Sequence, residues 1–503
     1  MAIFNSVISW YFKKRSSQLE YMQNHAPELQ ENIRKKLLKM AEDTEFGRRY
    51  DFENCATIFS FREKIPISNY ESLYPYIQRM MKGEQNILWS SDIKWFAKSS
   101  GTTNDKSKFI PVSFESLELC HFRAGKDVLT NYCSRFENTE IFTGKGLVLG
   151  GSHQVNNVNE DIFFGDLSAV LMENMPFLGE ILRAPKNEIA LMSNWEDKLE
   201  RMVSTTIHEN ITSITGVPTW TIVLMERILE VTGAKTIAEI WPNLELYIHG
   251  GVGFVPYKER FMELVGKPMN FLENYNASEG FFGMQDLSTT DELLLMPDYD
   301  IYYEFMPMNQ YGLEHPQLLS LDEVAINEVY ALVISTNSGL WRYIVGDTIR
   351  FTSLKPFRIK ITGRTRQFIN AFGEELMIEN AEQAIRAACD ASDCSVKEYT
   401  AAPKYFSEKH DAGHEWLIEF EREPTSFSLF GKVLDDTLKK SNSDYEAKRF
   451  NDMAMKPPVI HTMPRGTFHA WLNKKGKLGG QHKVPRLCND RKVIDDILGM
   501  TFA

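Results

Sequence analysis

Ser99, Ser100, Gly101, Thr102 and Thr103 stand in a row, with Lys106 and Lys108 shortly after. Small residues let backbone N–H groups approach an anion closely, and the hydroxyls and lysines add donors and positive charge. A nucleoside triphosphate suits that set; a Ser/Thr-rich surface turn is the plain alternative. Four further clusters follow. Tyr275-Asn276-Ala277-Ser278-Glu279-Gly280 puts an aromatic ring, a hydroxyl and a carboxylate in a loop after an apolar strand. Beside a triphosphate, Glu279 is a natural Mg2+ ligand, since the hard ion takes oxygen donors and keeps phosphate oxygens as co-ligands. The same residues also suit a capped helix start. In Trp341-Arg342-Tyr343-Ile344-Val345-Gly346-Asp347, an aspartate after a glycine turn can accept from two ribose hydroxyls, or close an ordinary hairpin. The stretch through Gly363 and Arg364 comes next, and Gly479-Gly480-Gln481-His482-Lys483-Val484-Pro485-Arg486 comes last. Lys483 reads as a mobile catalytic cation or as one of many exposed lysines.

To serve one ligand, these clusters must be carried to one edge of a fold. Residues 1–45 have a helical period, with Gly47 as the stop. Ser68, three residues before Glu71, predicts the cap of a helix running through Ile77, Met80 and Met81. Ser113 opens another helix over 113–135. Runs 145–151, 244–251 and 269–272 read as short buried strands, with an apolar helix at 216–230 ending at Gly233. Strands that alternate with helices and close on glycines predict an α/β sheet with ligand loops at one edge. From Leu293 onward, runs 293–296, 299–306, 328–336 and 347–351 have little helix between them and predict an antiparallel β subdomain. Beyond Arg364 a helix–strand–helix mixture predicts a separate small α+β domain. The expected division is 1–365 and 366–503.

Bulk properties exclude several function classes. A chain of 503 residues exceeds what one hydrophobic core usually supports. A net charge of −12 argues against a broad nucleic-acid or anionic-membrane face, yet leaves room for a small cationic pocket. Six scattered cysteines without a C-x-x-C pair suit reduced thiols and a cytoplasmic setting. No apolar run approaches the ~20 residues of a membrane span. The N-terminus is apolar first and basic second, the reverse of a secretory signal, and reads as a docked amphipathic helix. Walker A, zincin, nucleophile-elbow and dinucleotide-binding motifs do not occur. His208-Glu209 and His414-Glu415 lack a second histidine at metal-ligand spacing.

The order SSGTTNDKSKFIP, YNASEG, RYIVGD, GRTRQFINAFGEEL, then a C-terminal lysine loop, resembles that of adenylate-forming enzymes, which include acyl-CoA synthetases and firefly luciferase. Within them the chain is most similar to the plant auxin-responsive acyl acid amido synthetases and their bacterial relatives. The shared features are the form of the first loop, the Ser-Glu-x-x-Phe-Gly cluster at 278–283 and the final K-x-P-R at 483–486. The resemblance runs from about residue 60 to the end and implies that the small domain is mobile. It implies that Ser99, Ser100, Gly101, Thr102 and Thr103, with Lys106 or Lys108, hold the phosphates of ATP. Tyr275 and Ser278 would lie along the adenine and α-phosphate, Glu279 would bind Mg2+, and Asp347 would hold the ribose. Arg364 would precede a hinge at Thr365-Arg366. Lys483 would join Lys108 and Glu279 as a catalytic group. The implied substrates are a small carboxylic acid and an amino acid, joined as an amide by a monomer without nucleic-acid or membrane partners. A thiol acceptor (coenzyme A or a carrier protein) and a non-catalytic nucleotide-binding role are the alternatives. Residues 151–185 and the helix around Trp220 are positioned to wall the acyl pocket. Three departures stand out: Asp105 where the family has glycine, Ser107 where proline is common, and Arg366 at a hinge position that is acidic in many superfamily members.

Overall fold

The computed structural model describes residues 10, 15–99, 108–150, 156–157, 161–192, 194–287, 290–365, 368–405, 412–475 and 484–501. In chain order the first strands are β1 (Trp95–Ser99), β2 (Lys108–Val112), β3 (Lys145–Val148), β4 (Asn156–Asn157), β5 (Phe163–Gly165), β6 (Arg183–Ala184), β7 (Ile211–Thr215), β8 (Leu246–Gly250), β9 (Asn270–Ala277) and β10 (Gly280–Met284). Then come β11 (Leu293–Leu295), β12 (Ile301–Pro307), β13 (Val329–Thr336), β14 (Tyr343–Leu354) and β15 (Phe357–Arg364). The last are β16 (Phe368–Ile369), β17 (Leu376–Met377), β18 (Ser395–Lys404), β19 (Gly413–Arg422) and β20 (Val459–Met463).

Eleven strands form one sheet in the order β12-β13-β14-β15-β11-β10-β9-β8-β7-β3-β6. Strand β9 is its seam: it runs parallel to β8 and antiparallel to β10. The antiparallel subdomain expected after residue 293 therefore exists, but as a continuation of the α/β sheet. The join is the β11–β15 pairing of residues more than sixty positions apart, which local pattern does not reveal. A second sheet, β2-β1-β5-β4, carries the hairpin that brackets the hydroxyl-rich loop.

Helices place the rest. The chain packs α1 (Tyr70–Met81), α2 (Arg123–Arg135), α3 (Trp195–Thr206), α4 (Pro218–Thr232) and α5 (Val255–Val265) around these sheets. Helices α4 and α5 use one start-and-stop device, a proline in the first turn and a left-handed glycine at the end: Gly233 at φ 69° and Gly266 at φ 75°. Each follows a parallel strand, so β7-α4-β8-α5-β9 is a pair of crossover units. Two expected boundaries shift. Asn69, not Ser68, caps α1 through a reciprocal box with Ser72, because the Ser68 hydroxyl is taken by the Trp341 carbonyl at 2.6 Å. Gly47 lies inside a short helix capped by Thr44, where a Cβ would come within 2.0 Å of the Ala41 carbonyl.

Past residue 365, α6 (Ile378–Ser392), α7 (Phe427–Ser441) and α8 (Ser443–Arg449) accompany a β18-β19-β20 sheet. This unit shares a core with α4 and α5: Trp220, Tyr257, Phe372 and Tyr445 belong to one buried cluster. Thr219 donates to the Phe372 carbonyl at 3.2 Å, and Asn370 donates to the Gly251 carbonyl at 3.0 Å. All six cysteines are free thiols, and among the described residues no helix is long and apolar enough to cross a membrane.

One buried ion pair fixes the approach to β14. Arg342, at φ 45°, donates to both Glu304 oxygens at 2.7 and 3.0 Å and to the carbonyls of Arg62 and Ile65. Removing one partner strands a buried charge, so Arg342→Ala should lower the unfolding free energy by about 3–5 kcal/mol. Urea denaturation followed by fluorescence measures that shift.

Candidate active site

Three hairpins bring the candidate residues together. In the β1/β2 pair Ser99 lies opposite Lys108 in antiparallel register. Lys108 extends over the Tyr70 ring at 6.0 Å, and the Tyr70 hydroxyl accepts from the Phe109 amide at 2.9 Å. Burial pushes the Tyr70 hydroxyl up to about 12, so it stays a neutral prop for the hairpin.

The β9/β10 hairpin turns on Ser278 and Glu279 alone. Neither begins a helix. Tyr275 is a strand residue rather than a loop residue, its ring buried against Phe282 at 4.8 Å. Only its hydroxyl end faces the third hairpin, donating to Asp347 at 2.5 Å. There, Asp347 on β14 sits opposite Arg364 on β15. Arg364 Nε donates to the other Asp347 oxygen at 3.0 Å, while its Nη2 reaches Glu375 at 3.1 Å. The guanidinium also lies over the Phe368 ring at 5.0 Å. Burial disfavours the Arg364 charge, but Glu375 and Asp347 outweigh it and hold the pKa above the ordinary value. Burial and Asp347 push the Tyr275 hydroxyl far up, keeping it a donor.

Glu279 is half-buried at the hairpin tip. Desolvation holds its carboxyl above the usual carboxylate range, Lys108 offsets part of that, and Asp347 and Glu375 add like charge. A carboxylate in that position gains from a cation. Among the described residues no group of three or more side-chain ligands could hold a metal. The site thus fits an ion that takes one carboxylate and draws its remaining ligands from phosphate and water, as Mg2+ does.

Lys108, Tyr275, Glu279, Asp347 and Arg364 converge, with Ser99 and Ser278 at the ends of their hairpins. Ser100, Gly101, Thr102, Thr103, Lys106 and Lys483 lie outside the described residues, as do Asp105 and Arg366. Sequence reasoning missed Glu375 as the Arg364 partner, since that contact spans a turn with Glu375 at φ 40°. It also missed His121, whose Nδ1 lies 3.1 Å from Asn276 Oδ1. Burial holds that histidine at about 4, and it sits on π-helical turns at Leu117–Phe122, a geometry with no clear sequence signal.

Three family profiles cover most of the chain: the GH3 family N-terminal domain at residues 15–269, the central domain at 294–364 and the C-terminal domain at 379–492. The chain belongs to the GH3 family. It is 24% identical to an indole-3-acetic acid-amido synthetase, GH3.3 of Arabidopsis thaliana, over 95% of this chain and 92% of that protein. It is also 24% identical to the jasmonoyl–L-amino acid synthetase JAR4 of Nicotiana attenuata, over 93% and 92%. The fold of this GH3 chain matches that of the acyl acid amido synthetase AtGH3.15 in complex with 2,4-DB, at a TM-score of 0.63 and 16% identity over 97% and 96% of the two chains. A 2-hydroxyisobutyryl-CoA ligase shares the fold at a TM-score of 0.57 and 13% identity over 94% and 91%.

Asp347 retains lone pairs beyond those used by Tyr275 and Arg364. If they take ribose hydroxyls, Asp347→Ala should weaken ATP binding about tenfold or more, the scale of hydrogen bonds to a charged group. Isothermal calorimetry measures it, and unchanged affinity would remove the ribose assignment.

Proposed function

We propose that the chain is an ATP-dependent acyl acid amido synthetase: it adenylates a carboxylic acid, releasing pyrophosphate, and passes the acyl group to an amino acid. The observation that carries this reading is the convergence of Lys108, Glu279 and Asp347, from segments far apart in sequence, on one hairpin edge of a GH3 fold. The two sequence relatives named above, GH3.3 and JAR4, are named as synthetases that join an acid to an amino acid, and this chain spans nearly all of their length.

In this reading Asp347 orients the ribose, and Ser99 to Thr103 with Lys106 hold the phosphates. The acid's carboxylate attacks the α-phosphate, and the bond to pyrophosphate breaks. Negative charge grows on the phosphoryl oxygens, so cations placed there stabilise the transition state more than the ground state. Lys108 supplies one such charge and Lys483 another. Glu279 would hold Mg2+, which when bound neutralises phosphate charge. Ser278 lies beside Glu279 and would contact the α-phosphate. The units 1–365 and 366–503 are proposed to rotate about Thr365-Arg366 after adenylation. The amine nitrogen then attacks the acyl carbon of the mixed anhydride, AMP leaves with the bonding pair, and the nitrogen loses a proton. Six free thiols suit a cytoplasmic site of action, and a monomer is the simplest assembly.

The test is carboxylate-dependent pyrophosphate release over a panel of acids, followed by product analysis with amino acids against coenzyme A. Turnover with the thiol alone would overturn the amide assignment, and silence with every acid would overturn catalysis. Glu279→Gln should slow adenylation roughly 10²–10³-fold, the scale of losing one charge-stabilising group. Lys483→Ala should slow adenylation while ATP affinity stays within a few-fold; normal adenylation would displace the lysine from its role.

A further inference from the structure

Two residues before Tyr275, β9 carries a carboxyl without a partner. Phe271, Glu273 and Tyr275 alternate onto one face of the strand, and unbroken pairing with β8 from Asn270 to Asn274 keeps that register. Glu273 is half-buried, and among the described residues its carboxyl forms no hydrogen bond and no ion pair. Its backbone is held at both ends. The amide donates to Gln285 Oε1 at 3.0 Å, and the carbonyl accepts from the Gln285 amide at 2.7 Å. The side chain therefore projects from a fixed base.

The charged and titratable groups around Glu273 are engaged elsewhere. Asp291, ahead of β11, is ion-paired to Lys360 of β15. Lys258 of α5 extends over the Phe271 ring at 5.6 Å. His249, opposite Glu273 on β8, is held at about 3 by desolvation, with Lys258 adding to the effect, so it stays neutral. Desolvation, with like charge from Asp291, pushes the Glu273 carboxyl up to about 7. A neutral carboxyl offers a donor and an acceptor side by side, whereas an ionised one only accepts.

We propose that Glu273 reads the adenine base of ATP, accepting from the 6-amino group and donating to the ring nitrogen beside it; this rests on the ribose assignment of Asp347 above. The order of groups along the nucleotide selects that occupant. Phosphates belong at Glu279 and Lys108, and the ribose belongs at Asp347, which Tyr275 holds. The base leaves the ribose on the side away from the phosphates. Along β9 that side leads from Tyr275 back to Glu273, a step of about 6.6 Å that the width of a purine spans. Adenine's edge needs the mixed pair of a neutral carboxyl. An ionised carboxylate, accepting on both oxygens, suits guanine's two adjacent N–H donors instead. Glu273, Tyr275 and Asp347 all lie within residues 1–365, so movement of the C-terminal unit leaves their spacing intact.

Calorimetry on the full-length protein tests this with ATP and with purine riboside triphosphate, which lacks the 6-amino group. In mildly acidic buffer the wild type should bind ATP about fivefold tighter than the analogue, the scale of one hydrogen bond between neutral groups. Glu273→Ala should bind the two equally, and Glu273→Gln, with its own donor and acceptor, should keep the preference. The protonated carboxyl is present at low pH and is lost as pH rises through about 7. Wild-type affinity for ATP should therefore fall several-fold across that range relative to Glu273→Gln; the titration of ATP itself is common to both proteins. An amino-group preference retained in Glu273→Ala, or parallel pH profiles for wild type and Glu273→Gln, would overturn the proposal. Should Glu273→Ala fail to fold, the pH comparison decides. Binding is read without turnover, so the preference seen in a protein that releases no pyrophosphate with any acid would overturn the catalytic reading and leave this one standing. Failure to bind either nucleotide would overturn both.

Discussion

The carboxylate of Asp347 is shared between a tyrosine hydroxyl on β9 and a guanidinium on β15, and the geometry of the site depends on that sharing. Each bond alone is ordinary. Together they set the distance between the seam of the sheet and its last long hairpin, and the second end of Arg364 carries the constraint on to Glu375. A neutral Tyr275, held so by burial, donates without adding a third charge. Losing the guanidinium would leave Asp347, Glu375 and Glu279 repelling one another in a partly desolvated place, which is the costliest arrangement such groups can adopt.

That balance of charge also explains why the site is incomplete by itself. Desolvation by burial holds the Glu279 carboxyl above the usual carboxylate range, with Lys108 the main compensation and Asp347 and Glu375 adding like charge. A polyanionic nucleotide would be unwelcome there without a cation between it and Glu279.

The features legible in the sequence are those that depend on local backbone requirements. The Ser278-Glu279 turn, the glycine step before Asp347 and the strand run beside it could be read because each needs particular residue types in a short span. Helix α4 was legible for the same reason, from its proline and Gly233. What could not be read depends on distant partners. Ser68 and Asn69 are both good caps, and the choice was made by the Trp341 carbonyl, far away in sequence. Gly47 looked like a stop and is in fact a point of close backbone approach. The continuity of the sheet, the Arg364–Glu375 contact and the unpartnered Trp195 indole N–H appear only once the chain is folded.

The buried cluster that α4 and α5 share with residues beyond 365 has a thermal consequence. Any movement of the C-terminal unit slides or opens that contact, and newly wetted apolar surface raises heat capacity. A step limited by such a movement has an activation enthalpy that drifts with temperature, as refolding rates do. Adenylation and aminolysis in one active site would then respond differently to cooling, and the partition of the acyl-adenylate between amine and water would depend on temperature.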